Sequence, residues 1–367
     1  MVDDTSRWPG GPPLAGLVAL PGGPHPWAFY AAGLGGPFLV NDAVGRVSAW
    51  EAGGEAPRWS LPGRCVGAHP RRGLALAELA DGALALLDAR DGTRLRTLAP
   101  ADPSWTRCSR MAAFLDGDVV TFLDSSVEPF RTVTIVDLDD ATAPPRLQAV
   151  LAPRALRGLS AEGRTAVLVS SAGRAQRVEG CDVATLAPRW RVDLAAAPAS
   201  GAGPAWVDRG LALVERAAAG QRWVHLDAST GAVRAEVTLP AAPQRQITAA
   251  PDGRTLALVE RAGRTSPERW RVSLAEVDGG DPRPLVTVEG RAPAVHFTCE
   301  GRRVLVHGVR LATLRDELLA FDRADARPLC AWTLPAEVVS VTPDDADGAL
   351  VGARGGLWRA TCRRRNA

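Results

Sequence analysis

The sequence predicts an all-β fold assembled from repeated four-stranded units. Three recurring features carry that reading. Tight glycine turns open into short apolar strands, most clearly in PDGRTLAL (Pro251–Leu258), AEGRTAVL (Ala161–Leu168) and CEGRRVLV (Cys299–Val306). Weaker copies complete a series of turn glycines at Gly36, Gly73, Gly117, Gly163, Gly210, Gly253, Gly301 and Gly348, spaced 37 to 48 residues apart. An acidic residue then closes a later strand of the unit, at Glu51, Asp88, Asp137, Asp182, Asp227, Asp278 and Asp322. Finally a strand ends in Leu-Pro or Ala-Pro, as in RWSLP before Gly63, RLRTLAP before Ala101, EVTLP before Ala241 and AWTLP before Ala336.

Each feature has a physical reason. A hairpin turn needs a residue that tolerates positive φ, hence the glycine. An Asp at a strand end bonds the amides of the turn that follows. A Pro lacks the N–H that would continue a ladder, so it stops a strand. One unit therefore reads as a first strand entering the glycine turn, a second strand, a third ending in the acid and a fourth ending in Pro. No segment of useful length has a helical period. Four short strands in about 45 residues is the pattern of a propeller blade.

The count is eight units, or seven if Trp27–Pro62 is not a full one. The last unit has strands near Val338–Thr342, Ala349–Ala353 and Leu357–Thr361 and lacks a fourth. The segment LAGLVALP (Leu14–Pro21) reads as that missing strand, which would close the ring and cover two strand edges. The expected organisation is a leader over 1–13, a single propeller over 14–362 with 14–21 closing the last blade, and a basic tail over 363–367.

Composition narrows the function. The chain has 367 residues, 46% apolar and 23% charged, which excludes wholesale disorder. Basic and acidic residues number 43 and 41, so the net charge of +2 argues against a general nucleic-acid or membrane-surface binder. Every basic residue is Arg, which removes chemistry that needs a lysine, such as a P-loop or a Schiff base. No apolar run reaches the length of a membrane-spanning helix. The N-terminus has Asp3 and Asp4 before Arg7 and only a short apolar run at Leu14–Leu20, so no signal peptide is expected and the cytoplasm is the expected compartment. Cys65, Cys108, Cys181, Cys299, Cys330 and Cys362 form no C-x-x-C pair and read as reduced, buried thiols.

The PDGR-like turns and the acid-ended third strands resemble the WD-repeat and YVTN-type β-propeller superfamily over nearly the whole chain. Two departures, the lack of a Trp-Asp dipeptide and of a repeated Gly-His, make the resemblance closer to bacterial-type members. The resemblance implies a fold. It does not imply one function, because propellers serve as scaffolds, lectin-like binders, lactonases, dehydrogenases and peptidase gates.

No catalytic motif stands out. The five histidines, at 25, 69, 225, 296 and 307, have no metal-ligand spacing, and neither a metal nor a cofactor is expected. The tryptophans on third strands (Trp50, Trp223, Trp270, Trp358) and fourth strands (Trp59, Trp190, Trp332) read as packing between blades; the alternative is a stacking platform for a sugar or quinone. Arg placement is the most suggestive feature. Arg64, Arg107, Arg154, Arg245 and Arg291 stand at the starts of first strands, which would ring one mouth of the channel. The second-to-third-strand connections open on the same face. Three of them read as long, Ser125–Arg131, Arg261–Arg269 and Gly308–Asp316, and they add Arg264, Arg269 and Arg310. Such a face would focus positive potential on a carboxylate. The expected function is a non-enzymatic scaffold docking an acidic protein or peptide. The alternatives are a channel-mouth enzyme, lactonase-like or a lyase, using His296, Thr298, Thr248 and Gln246, and a small-molecule or sugar sensor.

Overall fold

The computed structural model describes residues 15–19, 28–31, 37–42, 45–51, 55–69, 72–99, 109–115, 118–124, 132–138, 147–150, 155–160, 164–172, 175–194, 205–207, 210–217, 220–240, 245–263, 267–298, 301–310, 315–334, 338–344, 348–353 and 356–361. Among them are 31 strands and no helix. β1 (Ala15–Ala19) opens the chain. β2 (Ala28–Ala31), β3 (Phe38–Asn41), β4 (Arg46–Trp50), β5 (Trp59–Ala68), β6 (Leu74–Leu79), β7 (Leu84–Asp88) and β8 (Arg94–Ala99) form one antiparallel sheet in chain order.

Five four-stranded meanders follow. The first is β9 (Ser109–Leu115), β10 (Asp118–Asp124), β11 (Thr132–Asp137) and β12 (Leu147–Val150). Next comes β13 (Ala155–Leu159), β14 (Thr165–Ala172), β15 (Ala175–Asp182) and β16 (Pro188–Leu194), then β17 (Ala205–Val207), β18 (Gly210–Ala217), β19 (Gly220–Asp227) and β20 (Val233–Pro240). The fourth holds β21 (Arg245–Ala249), β22 (Thr255–Arg261), β23 (Arg269–Glu276) and β24 (Arg283–Glu289). The fifth holds β25 (Ala294–Phe297), β26 (Arg303–Arg310), β27 (Arg315–Asp322) and β28 (Pro328–Thr333). The last sheet is β29 (Val338–Asp344), β30 (Gly348–Ala353) and β31 (Gly356–Thr361), and β1 adds to β31 antiparallel, with Ala15 opposite Arg359 and Ala19 opposite Gly356. The strand expected at Leu14–Pro21 is thus β1, paired where the sequence left a place for it.

In the seven-stranded sheet, β5 serves twice. Its first residues, Trp59–Pro62, pair with β4, and its later ones, from Gly63 to Ala68, pair with β6. Gly63 sits at φ 141°, and a Cβ there would lie 2.3 Å from the Glu78 carbonyl oxygen, so only glycine takes this step.

The turn glycines divide into two kinds. Gly73, Gly253 and Gly301 have φ of 64°, 69° and 67°, as the hairpin reading requires. Gly210 and Gly348 instead open β18 and β30, where a Cβ would meet the Leu226 and Ala360 carbonyl oxygens at 2.3 and 2.1 Å. Close backbone approach, not turn conformation, fixes glycine there. Gly36, Gly117 and Gly163 lie outside the described residues.

The acids cap turns as expected. Asp88 Oδ1 accepts from the Arg90 amide (2.8 Å), Asp182 Oδ1 from Ala184 and Thr185 (both 3.0 Å), Asp227 Oδ1 from Ser229 (2.9 Å) and Asp322 Oδ1 from Ala324 (2.8 Å). One assignment moves. β23 ends at Glu276, not Asp278, and Glu276 accepts from the Thr255 hydroxyl (2.8 Å) and Arg283 (2.7 Å). The acid's side chain is also braced across the hairpin. Arg189 reaches Asp182 at 2.6 Å, and Arg234 reaches Asp227 at 2.9 Å through Nε.

Four residues past the acid, these turns need left-handed backbone: Gly92 (φ 76°), Gly231 (71°), Leu186 (56°) and Ala326 (60°). Glycine stands at the two places where a tryptophan from the preceding outer strand lies on the turn. Trp59 Nε1 donates to the Ala89 carbonyl (3.0 Å), and a Cβ on Gly92 would fall 2.8 Å from its indole. Trp190 Nε1 donates to the Ala228 carbonyl (3.2 Å), with Gly231 beneath at 2.6 Å. These two tryptophans lock one four-stranded unit onto the next. Trp50, Trp223, Trp270 and Trp332 are buried. All six are taken up by packing and offer no stacking platform.

The sheets are apolar on both faces: β30 is buried at every position, and β7 at all but its terminal Asp. Their cores therefore lie between sheets. Val167 and Val178 pack with Leu211 and Leu226; Trp223 and Leu239 with Leu256 and Leu258; Val272 and Leu274 with Val304 and Phe321. Leu305 and Leu318 pack with Ala349 and Val351, and Leu350 and Leu357 of the last sheet pack with Val40 and Trp50 of the first.

Gly231→Ala combines left-handed strain with a clash on Trp190 and is expected to cost about 2 kcal/mol. Leu186→Gly is expected to gain about 0.5 kcal/mol, relieved strain outweighing chain entropy. Urea unfolding of both variants measures these. The Asp182 carboxyl is held down at about 2, chiefly by Arg189 and then by Thr185. A depressed carboxyl contributes stability that is complete above its unfolded value of 3.8 and is lost as pH falls towards 2. Asp182→Asn is therefore expected to flatten the loss of stability between pH 4 and pH 2, read from urea midpoints.

Candidate functional site

Chain order fixes two ends for these sheets. One end carries the glycine turns and the acid turns. The other carries the starts of the first strands and the connections from second to third strands, and the arginines named from the sequence fall there. First strands of neighbouring sheets lie side by side: β2 against β29 and β5, β5 against β9, β21 against β25 and β25 against β29.

The structure gives these arginines acidic partners. Arg64 on β5 stands directly opposite Glu78 on β6, with Nε and Nη2 both 2.7 Å from Glu78 Oε2. Its side chain stays 49% exposed. Arg245 on β21 stands in the same relation to Glu260 on β22, with Nε 2.6 Å from Oε1. Here the guanidinium also donates to the Pro240 carbonyl (2.7 Å) and to Gln221 Oε1 (3.3 Å), both on the preceding sheet. Its side chain is 4% exposed. Arg245 is thus a staple between sheets and is removed from the set of partner-contacting residues: burial and three acceptors consume it.

Arg269 opens β23, pairs with Glu289 at 3.1 Å and remains 46% exposed. Arg291, in the turn before β25, is exposed and makes no ion pair among the described residues. Arg310 ends β26 opposite Arg315 of β27. Arg107, Arg154 and Arg264 lie outside the described residues.

Of the five described arginines, Arg64, Arg245 and Arg269 therefore stand beside glutamates. Glu78 and Glu260 were legible as the acids next to last in second strands, five and seven positions past the turn glycine. What signalled them was register, not composition.

Two connections are also shorter than the sequence suggested. The stretch from Gly308 to Asp316 is mostly ladder, with Gly308 opposite Glu317 and Arg310 opposite Arg315. β22 runs to Arg261, which pairs with Glu268 at 2.7 Å. Ser125–Arg131 lies outside the described residues.

Of the polar residues considered for a channel-mouth site, Thr298 is committed to the glycine turn, its hydroxyl accepting the Arg303 amide at 3.2 Å. Thr248 is half-buried, and Gln246 is exposed. His296 is half-buried on β25. Among the described residues no group of three or more His, Cys, Asp or Glu side chains is placed to hold a metal ion. Cys65, Cys181 and Cys330 are buried and in no disulfide among the described residues; burial pushes the Cys65 thiol up to about 12, and the thiol donates to the Gly67 carbonyl at 3.3 Å. No helix among the described residues is long and apolar enough to cross a membrane.

Neither a protein-family model nor a curated protein sequence matches the chain. Solved structures do. BamB from Moraxella catarrhalis superposes with a TM-score of 0.56 at 16% identity, over 94% of this chain and 98% of that one. The computationally designed Ika8 protein gives 0.57 at 15% identity, over 95% and 99%. The β-propeller domain of Cps50 (Swd1) from Myceliophteria thermophila gives 0.50 at 13% identity, over 95% and 98%. The fold is a β-propeller. At these identities the likeness speaks for the fold alone. In a propeller the first strands line the central channel.

Arg245→Ala leaves Glu260 half-buried without its cation and is expected to destabilise the propeller by about 3 kcal/mol. Arg64→Ala, at an exposed pair, is expected to cost less than about 1 kcal/mol. Denaturant unfolding of the two variants side by side checks the contrast.

Proposed function

We propose that the chain is an eight-bladed propeller whose ring β1 closes, and that it works as a non-enzymatic interaction scaffold. The pairing of β1 with β31 and the packing of the last sheet on the first support the ring. The scaffold reading rests on one observation: half-exposed guanidiniums of Arg64 and Arg269, and the exposed Arg291, are carried at strand starts of a rigid frame. A guanidinium has five donors, and one glutamate uses at most two. The remaining donors face outward and suit a carboxylate of an acidic peptide or protein segment. Because Glu78 and Glu289 offset much of the charge, recognition on this face depends on geometry more than on long-range attraction. Arg107, Arg154, Arg264 and Arg310 extend the same proposed face; Arg245 does not belong to it.

The test is a pull-down from source-cell lysate with three baits: wild type, the channel-mouth variant Arg64→Glu/Arg269→Glu/Arg291→Glu, and the opposite-end variant Arg164→Glu/Arg254→Glu. A protein held by wild type and the opposite-end variant, and lost at least tenfold by the channel-mouth variant, is the expected result. Equal capture by all three folded baits would overturn the assignment of the face.

A further inference from the structure

Three ionisable side chains cross one face of the β25–β28 blade in a diagonal row. Ala294 of β25 stands opposite His307 of β26, which puts His296, two residues on, on the same face. His307 stands opposite Leu318 of β27, which puts Asp316 there too. This is the face that packs on the β29–β31 blade, through Leu305, Leu318, Ala349 and Val351. The row sits at its channel-mouth end.

The members are coupled. His307 Nε2 lies 3.4 Å from Asp316 Oδ1, with side chains 20% and 16% exposed. Asp316 also holds the neighbouring blade. Its Oδ2 accepts the Val338 amide (3.3 Å) at the start of β29, and its carbonyl accepts the Leu334 amide (2.8 Å). One buried polar atom at this joint, His307 Nε2, has no well-formed hydrogen bond among the described residues. Such an atom is costly to leave unmet and is uncommon in folded proteins.

The surroundings offer little else to balance charge. The described side chains of β29 and β30 are all uncharged, and β28 brings the buried Cys330. β31 carries Arg359, and on β21, at the other side of β25, Arg245 is already held by Glu260. Among the described residues, Asp316 is thus the one carboxylate beside the two imidazoles.

We propose that the His296–His307–Asp316 row is an acid-sensitive latch, in which protonation of the two imidazoles loosens the joint between the β25–β28 blade and the blade completed by β1. At neutral pH both rings are neutral and fit a half-buried, apolar joint. Burial lowers the affinity of His296 for a proton, and the charge of His307 lowers it further. Burial lowers that of His307 as well, more than Asp316 raises it. A histidine whose folded affinity is depressed makes no demand above its unfolded value of 6.5; below that value, proton uptake favours the opened form. The second proton also meets the charge of the first, and one carboxylate cannot serve both while it holds Val338.

The test is hydrogen exchange by mass spectrometry on the full chain at pH 7.5 and pH 5.5, corrected for the intrinsic rate. Expected in wild type is a loss of protection of more than about fivefold at β25–β26, β29 and β1, with the β13–β16 blade unchanged. His296→Gln/His307→Gln is expected to abolish the response. If that variant does not fold, the single His296→Gln variant is expected to halve its logarithm. Asp316→Asn is expected to enlarge the response, since it leaves the imidazoles without a counter-charge. A pH response equal in all variants, or one spread evenly over the blades, would overturn the proposal.

Discussion

The inner strands of the described blades are apolar on both faces, and that constraint organises everything else. A four-stranded sheet with Leu, Val and Ala on each side cannot be stable alone in water. It must be sandwiched between two others, and those in turn need partners. The chain meets the demand by packing sheet on sheet, from Val167 and Val178 against Leu211 and Leu226, to Leu350 and Leu357 against Val40 and Trp50. The last sheet meets the first, so neither needs an exposed apolar face.

Polar residues then fix how the blades sit on each other. Trp59 and Trp190 reach the acid turn of the following blade and donate to its carbonyls. Arg245 spans from Glu260 to the Pro240 carbonyl of the blade before, and Arg283 reaches from Glu276 to the Arg323 carbonyl of the blade after, at 3.2 Å. In a chain without lysine, the planar guanidinium with its several donors suits this work, because one side chain can satisfy acceptors on two sheets. Much of the arginine content is therefore structural, and the part left for recognition is smaller than its abundance suggests.

The joint at His296, His307 and Asp316 departs from that pattern. Here a buried imidazole nitrogen, His307 Nε2, lacks a well-formed bond among the described residues, and two imidazoles share one carboxylate. A place where local rules are broken at the margin of an otherwise consistent fold is where function or regulation is most readily found.

The repeat, the strand order within each unit, the acid turns and the place of β1 were all legible in the sequence. They depend on short-range chemistry: glycine's φ, the reach of an Asp side chain over its own turn, the lost N–H of Pro. The partners of the arginines were not legible in the same way. Whether Arg64 is half-exposed and Arg245 buried depends on what the neighbouring strand and blade bring alongside, as does the meeting of two histidines eleven residues apart with Asp316. A strand's sequence determines which faces its residues occupy; the register of its neighbours and the stacking of whole sheets decide what those faces meet.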